Sequence, residues 1–73
     1  MNMFKGLKQY IELKANSELK KKDIRRQLIS MCRVSKQTLH NWERAYNMPK
    51  IKDLMKLADY FGISVNDFFG EVR

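Results

Sequence analysis

Phe4, Leu7, Tyr10 and Ile11 recur every three to four positions and predict an amphipathic first helix over about residues 4–15. Asn16-Ser17 breaks that pattern. Ile24, Leu28, Ile29 and Cys32 carry a second helix, starting near Lys21 to Asp23 and ending around Met31, with Asp23 placed where a carboxylate complements the helix dipole. Arg33 and Val34 form a short turn. Ser35 can cap a third helix running to about Ala45, because its hydroxyl can accept a bond from an otherwise orphaned backbone N–H. Tyr46 to Lys50 is a loop containing Pro49. Ile51, Leu54, Met55, Leu57, Ala58 and Phe61 then mark a fourth helix, stopped by Gly62 in the left-handed conformation that glycine adopts without strain. Ser64 and Asp67 resemble a capping box and open a last short helix through Phe69. No segment reads as a strand, a repeat or a linker. The pattern predicts an all-α fold, a compact five-helix bundle, in one domain over residues 1–73.

The third helix is unlike the others in its polar side. With Lys36 set at zero on a wheel of about 100° per residue, His40, Arg44, Gln37 and Asn41 follow at about 40°, 80°, 100° and 140°, while Thr38, Leu39, Trp42 and Ala45 occupy about 180° to 300°. One half is core and the other a continuous polar face. Lys can reach guanine O6 and N7, and Gln or Asn can bond adenine through two hydrogen bonds, so this face has the chemistry that reads a DNA major groove. A solvated surface would carry the same residues. What separates the two readings is the preceding helix: Leu28, Cys32, Val34, Leu39 and Trp42 are spaced so that two helices meet across a short turn, the helix-turn-helix arrangement.

Charge points the same way. Fifteen Lys and Arg against eight Asp and Glu give +7 on 73 residues, which implies an anionic partner: nucleic acid first, an acidic membrane surface second. Residues 1–50 hold twelve basic and four acidic side chains, residues 51–73 three and four, so the binding surface is expected in the first two thirds. Lys20-Lys21-Lys22 with Arg25 and Arg26 is the densest basic cluster. Phosphate contact is expected for Arg25 and at least one of these lysines, although a solubilising face has the same composition.

Other chemistry is poorly supported. No run of apolar residues exceeds two, so neither a spanning helix nor a secretory segment is expected, and the lone Cys32 suits a reducing cytoplasm. Cys32 and His40 make no metal set, His40 has no partner for a triad, and no cofactor motif occurs, so the chain is not expected to be an enzyme. The helices' apolar faces are consumed by the core, which argues against a membrane-surface binder. Trp42, on the Leu39 side of its helix, is expected in the core and not stacked on a base. Glu43, at the edge of the polar face where it would repel phosphate, is expected to pair with a neighbouring Arg or Lys and orient it.

Between Asp23 and Phe69 the chain resembles the helix-turn-helix domains of the Cro and phage-repressor (Xre-like) type. The resemblance is carried by SKQTLHNWE, by Pro49 and by DLMKLADYFGISVNDFF. It implies a lambda-repressor-like bundle that binds operator DNA with its third helix in the major groove. Position by position, it implies that Lys36, Gln37, His40 and Asn41 touch bases or flanking phosphates, and that Arg25 and Ser35 contact the backbone, joined by Arg44, Asn47 and Lys50 after the third helix. Lys22 is added from the basic cluster. Three positions depart from the family pattern: Ile29 where a small residue is usual, and Arg33 and Ala45 where glycine is usual. A residue with Cβ in the left-handed region costs about 1–2 kcal/mol, so Ala45 is expected to stay helical, with Asn47 ending the helix a turn later.

The expected function is sequence-specific binding of double-stranded DNA by a transcriptional regulator, a repressor since no further segment is left to recruit or sense. One module offers a small interface, so a homodimer is expected, with two third helices about 34 Å apart on one face of the duplex. Phe4, Tyr10, Phe68, Phe69 and Val72 are candidates for its surface. The alternative is an antitoxin-like subunit that binds a partner protein and autoregulates through DNA.

Overall fold

The computed structural model describes residues 2–71. The chain runs β1 (Asn2–Phe4), α1 (Lys8–Lys14), α2 (Lys21–Cys32), α3 (Lys36–Glu43), α4 (Ile51–Phe61), a 3-10 turn (Val65–Phe68) and β2 (Phe69–Glu71). The helices follow the apolar spacing of the sequence, and each buries the stripe that spacing defines: Ile11 from α1, Ile24, Leu28 and Cys32 from α2, Leu39 and Trp42 from α3, Leu54, Leu57 and Ala58 from α4. Leu7 and Phe68, both fully buried, join them in one core.

Two expectations need correcting. The five-helix bundle is four α-helices and a single 3-10 turn, because the segment opened by Ser64 is only four residues long. The residues flanking the bundle also form a two-stranded antiparallel sheet, pairing Asn2 with Glu71, Met3 with Gly70 and Phe4 with Phe69. Phe4 fits the helical spacing of α1 but belongs to this sheet; Gly6, at φ 86°, turns the chain before Leu7 caps the helix. The segments are too short for alternation to be visible in sequence. They are brought together by an aromatic cluster in which Phe68 lies 5.4 Å from Tyr10, 6.4 Å from Phe61 and 6.5 Å from Phe4, while Phe69 meets Phe4 edge-on at 6.0 Å. Of the residues considered for a dimer surface, Phe4 and Phe68 are buried in the core, Tyr10 and Phe69 are half-buried and packed against it, and Val72 lies outside the described residues.

Three helices end in the same reversal. The left-handed residue is Arg33 after α2 (φ 55°), Ala45 after α3 (φ 61°) and Gly62 after α4 (φ 68°). After α3 the Tyr46 N–H donates to the Asn41 carbonyl at 2.8 Å and the Ala45 N–H to the Trp42 carbonyl at 3.3 Å. These bonds engage two carbonyls at the end of the helix and fix the reversal at Ala45. The helix thus stops at Glu43, and Asn47 is not its terminator.

Candidate nucleic-acid interface

The Ser35 hydroxyl accepts the Thr38 N–H at 3.1 Å and starts α3 sharply after the α2 reversal at Arg33. Leu39 and Trp42 point inward, only 2% and 5% exposed, as their side of the wheel requires. Lys36, Gln37, His40 and Arg44 are left exposed, with Asn41 half-buried beside them. The Gln37 amide donates to the Asn41 carboxamide oxygen at 3.1 Å, one turn apart, which fixes the two amides relative to each other. His40 meets the exposed Tyr46 ring at 6.4 Å.

Between α2 and α3 runs an open groove. Its walls carry Lys22, Arg25 and Arg26 from α2, Lys36, Gln37 and His40 from α3, Arg44 just beyond it, and Lys8 from α1; Ile29 and Leu39 also line it. Six cations thus face one carboxylate, Glu43. That carboxylate pairs with Arg25 through a fork, Nε to Oε2 at 3.0 Å and Nη2 to Oε1 at 3.0 Å. The Glu43 side chain is only 10% exposed against 42% for Arg25, so the acid is withdrawn while the guanidinium stays within reach of a ligand. Glu43 therefore has the pairing that its position on the wheel predicts.

Lys8 carries no sequence signal for this groove. Its place follows from a close approach: the Leu7 N–H donates to the Trp42 carbonyl at 3.2 Å, and Gly6 packs on the end of α3 so tightly that a Cβ there would lie 2.4 Å from the Glu43 carbonyl oxygen. Glycine is required both by this contact and by its positive φ.

A helix-turn-helix family model matches residues 17–68, from the loop before α2 to the end of the 3-10 turn. The chain belongs to this family, in its Cro and Xre-like branch. It is a DNA-binding transcription regulator, and the family is regulatory and not catalytic. No curated protein and no solved structure gives a significant match. No helix among the described residues is long and apolar enough to cross a membrane.

The helix-turn-helix frame sorts the predicted site residues into two sets. Lys22, Arg25, Lys36, Gln37, His40 and Arg44 share the groove. Ser35 and Asn41 sit on α3 outside its lining, and exposed Asn47 lies in the following loop. Lys50 stands at the N-terminus of α4 and belongs to a second basic depression with Arg33, Lys52 and Lys56, formed by the α2–α3 turn and the start of α4. Cys32 lines that depression, where burial, reinforced by Asp53, raises its thiol pKa and opposes thiolate chemistry.

Proposed function

We propose that this helix-turn-helix protein binds double-stranded DNA sequence-specifically as a repressor, with α3 in the major groove. The carrying observation is the groove: Gln37 and His40 of α3 line it among cations supplied by three helices, and Gln37 is hydrogen-bonded to Asn41 just outside it. In this reading Lys36, Gln37, His40 and Asn41 read base edges, and Lys22, Arg25, Ser35, Arg44, Asn47 and Lys50 grip the sugar-phosphate backbone on either side. Lys8 and Arg26, which share the groove, join the second group. Two copies bind a site with two half-sites about 34 Å apart, and regulation follows from occupying DNA that transcription needs.

The test is selection of bound duplexes from a random pool at two salt concentrations. A consensus with two related half-sites is expected, together with affinity that falls steeply with salt, by about 0.9 in log-log slope for each phosphate neutralised. Lys22→Ala should weaken all duplexes alike, whereas Gln37→Ala should cost about 1–3 kcal/mol on the selected sequence and relax one position. Selection without any consensus would refute sequence-specific reading.

A further inference from the structure

We propose that Tyr46 is a positioning residue for base reading, whose ring braces the His40 imidazole so that it meets the base edges in one orientation. The two rings lie edge-to-face with 6.4 Å between centroids and 65° between planes, within the range in which aromatic pairs attract. The inference rests on the DNA-binding reading for what His40 does, and on geometry alone for what Tyr46 does.

The contact is built by the end of α3. Ala45 turns the chain at φ 61°, and the Tyr46 N–H donates to the Asn41 carbonyl at 2.8 Å, which carries Tyr46 back along the last turns of the helix. A side chain in this place commonly packs on one near the helix end and secures it. Here the side chain it meets is His40, an exposed residue that lines the groove. Tyr46 is itself 67% exposed and does not line the groove. A ring left so open adds little to the core, and its contact falls on one of the groups turned towards a ligand.

Bracing matters more for an imidazole than for the cations around it. A neutral imidazole carries one donor and one acceptor on its two ring nitrogens. Every base pair offers an acceptor in the major groove, through guanine N7 and O6, adenine N7 or thymine O4. A ring free to turn finds a bond at any of them and so distinguishes none; a ring held from behind is restricted to acceptors along one line. Discrimination is a difference of affinities, and it is lost when a side chain can reorient to suit the wrong base. The same device recurs beside it, where Asn41 holds the Gln37 amide at 3.1 Å and Glu43 holds the Arg25 guanidinium through its fork.

Selection from a random duplex pool should be carried out on the wild-type chain, Tyr46→Ala, Tyr46→Phe, His40→Ala and the double variant Tyr46→Ala/His40→Ala, with circular dichroism reporting that each is folded. Tyr46→Ala should flatten the preference at one base-pair position of each half-site by about two- to tenfold, the ratio that corresponds to one aromatic contact. His40→Ala should flatten the same position. Tyr46→Phe, which keeps the ring, should retain the consensus, and the double variant should be no flatter than His40→Ala alone. The salt slope of Tyr46→Ala should match that of the wild type, because no cation is removed. In the free chain, nuclear Overhauser contacts should join the two rings in the wild type and in Tyr46→Phe. Their absence would overturn the proposal without any DNA present. So would a Tyr46→Ala chain weakened equally on all duplexes with its consensus intact, the mark of a helix end merely loosened. Further flattening by Tyr46→Ala in the His40→Ala background would overturn it as well, since Tyr46 would then touch a base directly. A wild-type chain that selects no consensus overturns the sequence-specific reading and this inference together, whereas the other results overturn this inference alone.

Discussion

Replacing Ala45 by glycine should stabilise the protein, against the usual sign of a change to glycine. Ala45 ends α3 at φ 61°, where an L-residue costs about 1–2 kcal/mol. Removing its methyl enlarges the freedom of the unfolded chain and returns about 0.4–1 kcal/mol of that cost. Ala45 is exposed, and the bonds from Tyr46 and Ala45 to the end of α3 use backbone atoms alone, so no other contact is lost. The net gain is about 0.5–1 kcal/mol, and for a domain of this size each kcal/mol raises Tm by about 4–8 °C. Arg33→Gly should act in the same direction through the reversal after α2 at φ 55°. Gly62 supplies the control. A Cβ there meets nothing within 4 Å, so Gly62→Ala should cost about what Ala45→Gly gains, for backbone reasons only. Thermal melts followed by circular dichroism at one protein concentration read all three. A lowered Tm for Ala45→Gly, or a raised one for Gly62→Ala, would refute the account of these helix ends.

Gly6→Ala should be severely disruptive, because its Cβ would lie 2.4 Å from the Glu43 carbonyl oxygen at a φ that already disfavours it. A loss of more than about 2 kcal/mol is expected in denaturant titration, with weaker DNA binding in whatever remains folded as Lys8 moves off the groove. Glu43→Gln should lower stability by about 1 kcal/mol, a modest figure because the guanidinium it holds is partly solvated; a melt unchanged from wild type would show that the fork contributes nothing. Cys32 should react with thiol reagents far more slowly in the native chain than in the denatured one at the same pH. Since its folded pKa is raised, stability should be flat below the unfolded thiol value of about 8.5 and decline as pH rises through it, which urea titrations across that range would detect.

The parts of this fold that the sequence makes legible are those where a whole helical turn repeats before a break. The α2 and α4 stripes, the Ser35 cap and the Gly62 stop all lie where their residues place them. The face of α3 was readable for the same reason, since Leu39 and Trp42 decide which side is turned outward. What was hidden depends on contacts distant in sequence. Phe4 satisfies a helical spacing, yet it pairs with Phe69, sixty-five positions away. Ala45 has no composition signal for a positive φ; its conformation is imposed because the Tyr46 N–H must reach the Asn41 carbonyl. Lys8 enters the groove only because Gly6 lets α1 start against the end of α3.

Those contacts converge on Glu43, which explains why an acid belongs in a groove otherwise lined by cations. Its backbone carbonyl receives Gly6, and its side chain grips Arg25, so one residue at the end of α3 fixes the positions of α1 and α2 around the groove. Six cations around one groove repel one another, and without a counter-charge the guanidinium nearest the core would swing out to water. A carboxylate only 10% exposed holds that guanidinium in place yet is screened from a ligand by the group it binds. Of the other five, Arg26 has Asp23 at 4.0 Å, while Lys8, Lys22, Lys36 and Arg44 have no acidic partner among the described residues and keep their mutual repulsion in the free protein. An incoming polyanion relieves that repulsion in addition to making its own contacts, so affinity should depend on the groove as a unit, and successive removal of its cations should weaken binding by diminishing steps.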